Sequence, residues 1–185
     1  MSTSAEDGLT TITTNAAVDG NGGFGIGATS TTGGITIDAN AAVVGSTRGI
    51  TATSTSGVIQ IDATQVTGEG AQGVFAQTGG AGTIQVTTTL AVLGSTTGIA
   101  TTAATGQTTI NTSGTVTGNG GQGIDALSTT GNITIGATAA VTGSQTGIEA
   151  TSTGGTILIT ADAVTGTAGN GVLATTTGAG LVTVT

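Results

Sequence analysis

The chain contains no proline, cysteine, tryptophan, tyrosine or histidine, and Arg48 is its only cation. Without cysteine there are no disulfides, no thiol nucleophile and no thiolate metal site. Collagen is excluded because proline is absent and glycine does not recur at every third residue. One cation against nine acidic side chains gives a net charge of −8. Such a surface cannot neutralise phosphates, so nucleic acid is excluded as a partner and anionic membrane surfaces are disfavoured. No apolar run is long enough to span a bilayer, so no membrane insertion by this segment is expected. The opening "MSTSAEDG" lacks a basic stretch followed by an apolar one and does not read as a secretory signal.

What remains is glycine, threonine, alanine, isoleucine and valine. There are 36 glycines, hydrophobic residues make up 36% of the 185, charged residues make up 5%, and mean hydropathy is +0.36. A disordered chain is richer in charge and poorer in hydrophobes, so this one is expected to fold. With only 2 phenylalanines it cannot build a thick core, because aromatics supply the largest buried areas. Small residues with Ile and Val suit a thin one.

The order of these residues is periodic. Glycine followed by Ile or Val occurs at Gly25, Gly49, Gly73, Gly98, Gly123, Gly147 and Gly171, at spacings of 24, 24, 25, 25, 24 and 24. A fixed period of this length marks a repeat architecture. Each unit reads as three short strands. The first places Ile26 and Ala28 on one face, the second alternates as Ile35-x-Ile37 and Ile59-x-Ile61, and the third carries one valine, as at Val43 and Val66. Alternation with a period of two is the signature of a half-buried strand, and Thr, Ile and Val favour it. The corner after the third strand alternates between longer forms such as "TGNGGQ" and shorter forms such as "VGSTR", so the larger repeat is a pair of coils. The expected fold is all-β: a right-handed, single-stranded parallel β-helix of about seven coils of 24–25 residues, forming one domain over residues 1–185. Residues 1–8 are expected to be poorly ordered or to cap the edge.

Several patterns could carry chemistry. Gly20, Gly22 and Gly25 match the phosphate-cradling pattern G-x-G-x-x-G, as do Gly68, Gly70 and Gly73, and Gly118, Gly120 and Gly123. That motif requires a helix after it, whereas here strands follow. The glycines therefore read as corner residues that supply positive φ or close coil packing. Asp38 and Asp62 occupy the same place one coil apart, as do Asp125 and Glu149. Stacked carboxylates make these four the candidates for Ca²⁺. They do not read as a catalytic pair, because no Lys or His stands by as a base, and no cofactor is expected. Thr29 and Thr31, Thr53 and Thr55, Thr151 and Thr153, and Thr175 and Thr177 form an outward Thr-x-Thr series. A flat ladder of this kind resembles ice-binding solenoids, though Gln77, Gly79, Ala104 and Leu127 interrupt it. Phe24 and Phe75 read as too few and too scattered for a sugar-stacking platform.

The succession Gly-Ile-x-Ala, Gly-x-Ile-x-Ile and Val-x-Gly, over nearly the whole chain, resembles passenger domains of Gram-negative autotransporters and related haemagglutinin-like adhesins. The resemblance implies a secreted β-helix displayed at the bacterial outer surface, serving as stalk or adhesin. The expected function is structural and non-enzymatic, with the cell or host surface, or further copies of the chain stacked end to end as filaments, as partners. The alternative is a solenoid that binds ice or glycan through its threonine ladders.

Overall fold

A computed structural model describes all residues, 1–185, and contains strands and turns but no helix. Twenty-three strands form three sheets. The first sheet runs β1 (Ser2–Ala5), β4 (Ile26–Ser30), β7 (Ile50–Ser54), β10 (Val74–Thr78), β13 (Ile99–Ala103), β16 (Ile124–Ser128), β19 (Ile148–Ser152) and β22 (Val172–Thr176). The second runs β2 (Thr10–Thr14), β5 (Ile35–Ala39), β8 (Ile59–Ala63), β11 (Ile84–Thr88), β14 (Thr108–Thr112), β17 (Ile133–Ala137), β20 (Ile157–Ala161) and β23 (Val182–Val184). The third contains β3 (Val18–Gly20), β6 (Val43–Gly45), β9 (Val66–Gly68), β12 (Val92–Gly94), β15 (Val116–Gly118), β18 (Val141–Gly143) and β21 (Val164–Gly166). Each strand hydrogen-bonds in parallel to its equivalent one coil away. The result is a β-solenoid with three strands per coil.

Two sheets hold eight strands, so the rod has about eight turns rather than about seven. The extra coil begins the chain. Ser2–Ala5 pairs with β4 in the register Ser2↔Gly27 and Thr3↔Ala28. It carries no Gly-Ile anchor, which is why the glycine count misses it. Residues 2–5 are thus an edge strand of the first sheet.

The core follows the alternation in the sequence. Ile26, Ala28, Ile35, Ile37, Val43 and their equivalents form one cluster of 32 buried residues along the rod. Burying each Ile stabilises the fold by roughly 1.5–3 kcal/mol, and the identical stacking of like side chains leaves few gaps. The last inward position of the first strand is a hydroxyl in most coils, as at Ser54, Thr78 and Ser152, all buried. There the side chain serves the backbone: Gly57 N–H donates to Ser54 Oγ at 2.8 Å, and Gly155 N–H to Ser152 Oγ at 2.8 Å. The fifth coil is the most polar layer inside, where Thr101, Thr108 and Thr112 have no partner for their buried hydroxyls.

Close approach fixes the corners. At the end of the third strand a Cβ on Gly20, Gly68 or Gly118 would collide with the carbonyl of Phe24, Gln72 or Gln122. At the anchors, a Cβ on Gly25, Gly73 or Gly123 would stand 2.7 Å from the carbonyl oxygen of Gly49, Gly98 or Gly147. Gly70 and Gly120 meet backbone oxygens of the coil before, at 2.8 and 3.0 Å. Positive φ is confined to Gly22, at 90°. Coil packing, and at one position the left-handed conformation, accounts for these glycines.

Candidate functional site

No helix follows any of the three G-x-G-x-x-G copies; β4, β10 and β16 do. The glycine N–H groups are engaged in the rod itself, with Gly25 donating to Arg48 O at 3.1 Å and Gly73 to Thr97 O at 3.1 Å.

The outward threonines divide into two sets. Thr29, Thr53, Thr151 and Thr175 sit in strands of the first sheet, in a column continued by Gln77, Thr102 and Leu127. Thr31, Thr55, Thr153 and Thr177 lie one position past the strand, in the turn, and are exposed. Each Thr-x-Thr pair thus spans a strand end and a bend.

Asp38 and Asp62 are register partners on β5 and β8. With Asn40, Thr64, Thr87 and Thr89 they line a shallow depression of about 110 Å³ on the outside of the second sheet. That is room for a few water molecules. Gln60 Nε2 donates to Asp62 Oδ2 at 2.7 Å, which occupies one carboxylate oxygen. No three His, Cys, Asp or Glu side chains gather anywhere on the chain.

Asp125 and Glu149 are likewise register partners, on β16 and β19. They belong to the outward column Gly27, Thr51, Phe75, Ala100, Asp125, Glu149, Leu173 of the first sheet. Gln122 Nε2 donates to Glu149 Oε2 at 2.9 Å. Burial, and then the neighbouring Glu149 charge, raises the Asp125 pKa above its usual value.

The other end of that column holds an arrangement the sequence does not announce. Phe24 and Phe75 are 51 residues apart yet bracket one residue, Thr51. Phe75 is its register partner on one side and Gly27 on the other. Gly27 has no side chain, and the Phe24 ring lies over it, with Cδ2 3.1 Å from where a Cβ would stand. From the corner before β7, Arg48 reaches over the Phe75 ring, with Cζ 4.2 Å from the centroid. Its Nε donates to Gln72 Oε1 at 2.6 Å. Phe24 thus lies against the same outward column as Phe75, two strands before it. A signal was present: Gly27, Thr51 and Phe75 are spaced by the repeat itself, at 24 residues. Phe24 escapes the pattern because it belongs to a corner.

Searches of protein-family models, of curated proteins and of solved structures find no match for this chain. The fold is that of a β-solenoid repeat protein, compatible with structural and with binding roles.

Proposed function

We propose that the chain is a rigid, non-enzymatic stalk or adhesin segment of a secreted protein exposed at the bacterial outer surface. The observation that carries this reading is the unbroken parallel stacking of three sheets, in register, two of them over eight strands and the third over seven. Backbone hydrogen bonds run along the rod, so every interior coil is held by two neighbours. The likeness of the repeat to autotransporter passengers and haemagglutinin-like adhesins supports the surface location. The outermost strands, β1 and β2 at one end and β22 and β23 at the other, pair on one side only. Self-similar parallel coils also fit head-to-tail stacking of copies, an additional part of the proposal.

A spacer must hold a fixed length. The chain has no cysteine, so spin labels at Thr31→Cys and Thr177→Cys report one distance. The six coil steps between them at about 4.8 Å each give about 29 Å between the attachment points. Pulsed electron resonance should find a narrow distribution near that length, unchanged by ionic strength. A broad distribution overturns the spacer role, and a strictly monomeric chain by light scattering at high concentration overturns the stacking.

A further inference from the structure

We propose that the fifth coil, made of β13, β14 and β15, is a built-in opening point at which the rod divides into two separately cooperative segments. This goes beyond the stalk reading and holds for the rod whatever it carries.

The inward positions of the neighbouring coils show what the fifth one lacks. Thr108 is the register partner of Ile84 on one side and of Ile133 on the other. Thr101 stands between Ala76 and Ala126, and Thr112 between Thr88 and Ala137. All three threonines are at most 2% exposed, and none of their hydroxyls has a hydrogen-bond partner. Every other interior coil holds at most one such hydroxyl. Ala103 in turn takes the place of Thr78 in the coil before and of Ser128 in the coil after. In the third and seventh coils the hydroxyl at that place, on Ser54 and Ser152, accepts a bond from a turn glycine. Ala103 can accept none. The fifth coil thus carries hydroxyls where its neighbours are apolar, and none where a hydroxyl serves the backbone.

In a solenoid each coil touches only its neighbours, so cooperativity is lost across an interface that is weak enough. An unmet hydroxyl bears its desolvation penalty only while the coil stays closed. Threonine in place of isoleucine also gives up apolar burial. Both effects fall in one layer and act on both of its faces.

The layer also recurs. The stretch "STTGGITIDANAAVVGS" at residues 30–46 returns as "STTGNITIGATAAVTGS" at residues 128–144, 98 residues on. By the same shift, Thr3, Thr10 and Thr14 of the first coil become Thr101, Thr108 and Thr112. The alternation of corners is therefore nested in a repeat of four coils, and the polar layer comes once in each. Outward residues differ between the two copies, with Gly27 against Asp125 and Thr51 against Glu149, while the three inward threonines are retained.

Amide nuclear magnetic resonance spectra through an equilibrium urea titration give an unfolding midpoint for each residue. The midpoints should fall into two groups, with the change from one to the other inside the fifth coil. Thr108→Val closely matches the shape of the side chain and removes the hydroxyl. By hydrogen exchange it should lower the opening constant of the fifth-coil amides about tenfold. The triple variant Thr101→Val/Thr108→Val/Thr112→Val should merge the two groups. Thr78→Val removes a hydroxyl that donates to Gly57 O at 3.4 Å and should give no such protection. A single midpoint for the whole chain overturns the proposal, as does a division outside the fifth coil. So does a triple variant whose two groups stay apart, or a Thr78→Val effect equal to that of Thr108→Val. The label-to-label distance is measured in the folded rod, so failure here and failure of the spacer reading are separable.

Discussion

One outward column of the first sheet carries two opposite solutions to the same backbone. Near its start, Phe24 lies against Gly27 and Arg48, the only cation, stacks on Phe75. Further along, Asp125 and Glu149 stand side by side, with Gln122 reaching in from the corner. The strands are equivalent, the registers are equivalent, and Arg48 and Gln122 both stand just before an anchor glycine. The frame is therefore indifferent to what its outer face displays. Inward positions and corners set the fold, while outward positions are free to diverge in charge, polarity and size.

The strongest test substitutes the frame in both regions at once. A Cβ at Gly45 would collide with the Arg48 carbonyl, and one at Gly118 with the Gln122 carbonyl. Gly45→Val and Gly118→Val should each cost about 3 kcal/mol or more, because backbone rather than a flexible side chain is in the way. Denaturant midpoints should fall by similar amounts despite the different side chains outside. If one substitution is silent, the corners are not equivalent and the comparison loses its basis.

Asp125→Asn comes next in size. Asp125 has its pKa raised in the fold, first by burial and then by Glu149. Between its unfolded and folded pKa values the folded chain therefore binds more protons than the unfolded one. Stability from this group is present at the acid side of that window and is lost as pH rises through the folded value. At neutral pH the carboxylate is a net cost, and Asp125→Asn should recover up to about 1 kcal/mol, allowing for solvent screening of a partly exposed group. The gain should shrink on acidification, since the parent itself becomes more stable as Asp125 takes up its proton. A gain that does not change between neutral pH and about pH 4, near the unfolded carboxyl range, would mean that charge is not its cause.

The period of 24 and 25 residues made the solenoid legible, because glycine before Ile or Val recurs wherever coil meets coil. The alternation at Ile35-x-Ile37 and its equivalents told which side chains face in, and those residues are buried. The first coil was hidden, since Met1 occupies the register of Ile26 and no glycine marks it. The Asp125–Glu149 neighbourhood was legible from the repeat, but the burial acting on Asp125 was not. It depends on what surrounds the carboxylate in neighbouring coils, beginning with Ala100 beside it. The placement of Phe24 and Arg48 over the outer column was hidden for a related reason. Phe24 and Arg48 stand in corners of different length, and long side chains cross from one coil to the next. Periodicity records backbone position and is blind to reach.

The smallest effect tests that reach. Arg48→Gln removes a cation stacked on Phe75 but leaves Gln72, Phe24 and the strand pairing intact. An exposed cation–π contact is worth about 0.5–1 kcal/mol, so the denaturant midpoint should drop only slightly. The response to salt should distinguish the two regions. Repulsion between Asp125 and Glu149 is a charge–charge term, and added salt should screen it and stabilise the parent at neutral pH. Asp125→Asn should lose that salt response, whereas Arg48→Gln should keep it. A loss of salt response in Arg48→Gln would mean that the cation acts on the carboxylates at a distance rather than on the ring beneath it, and the two ends of the column would then be one electrostatic unit.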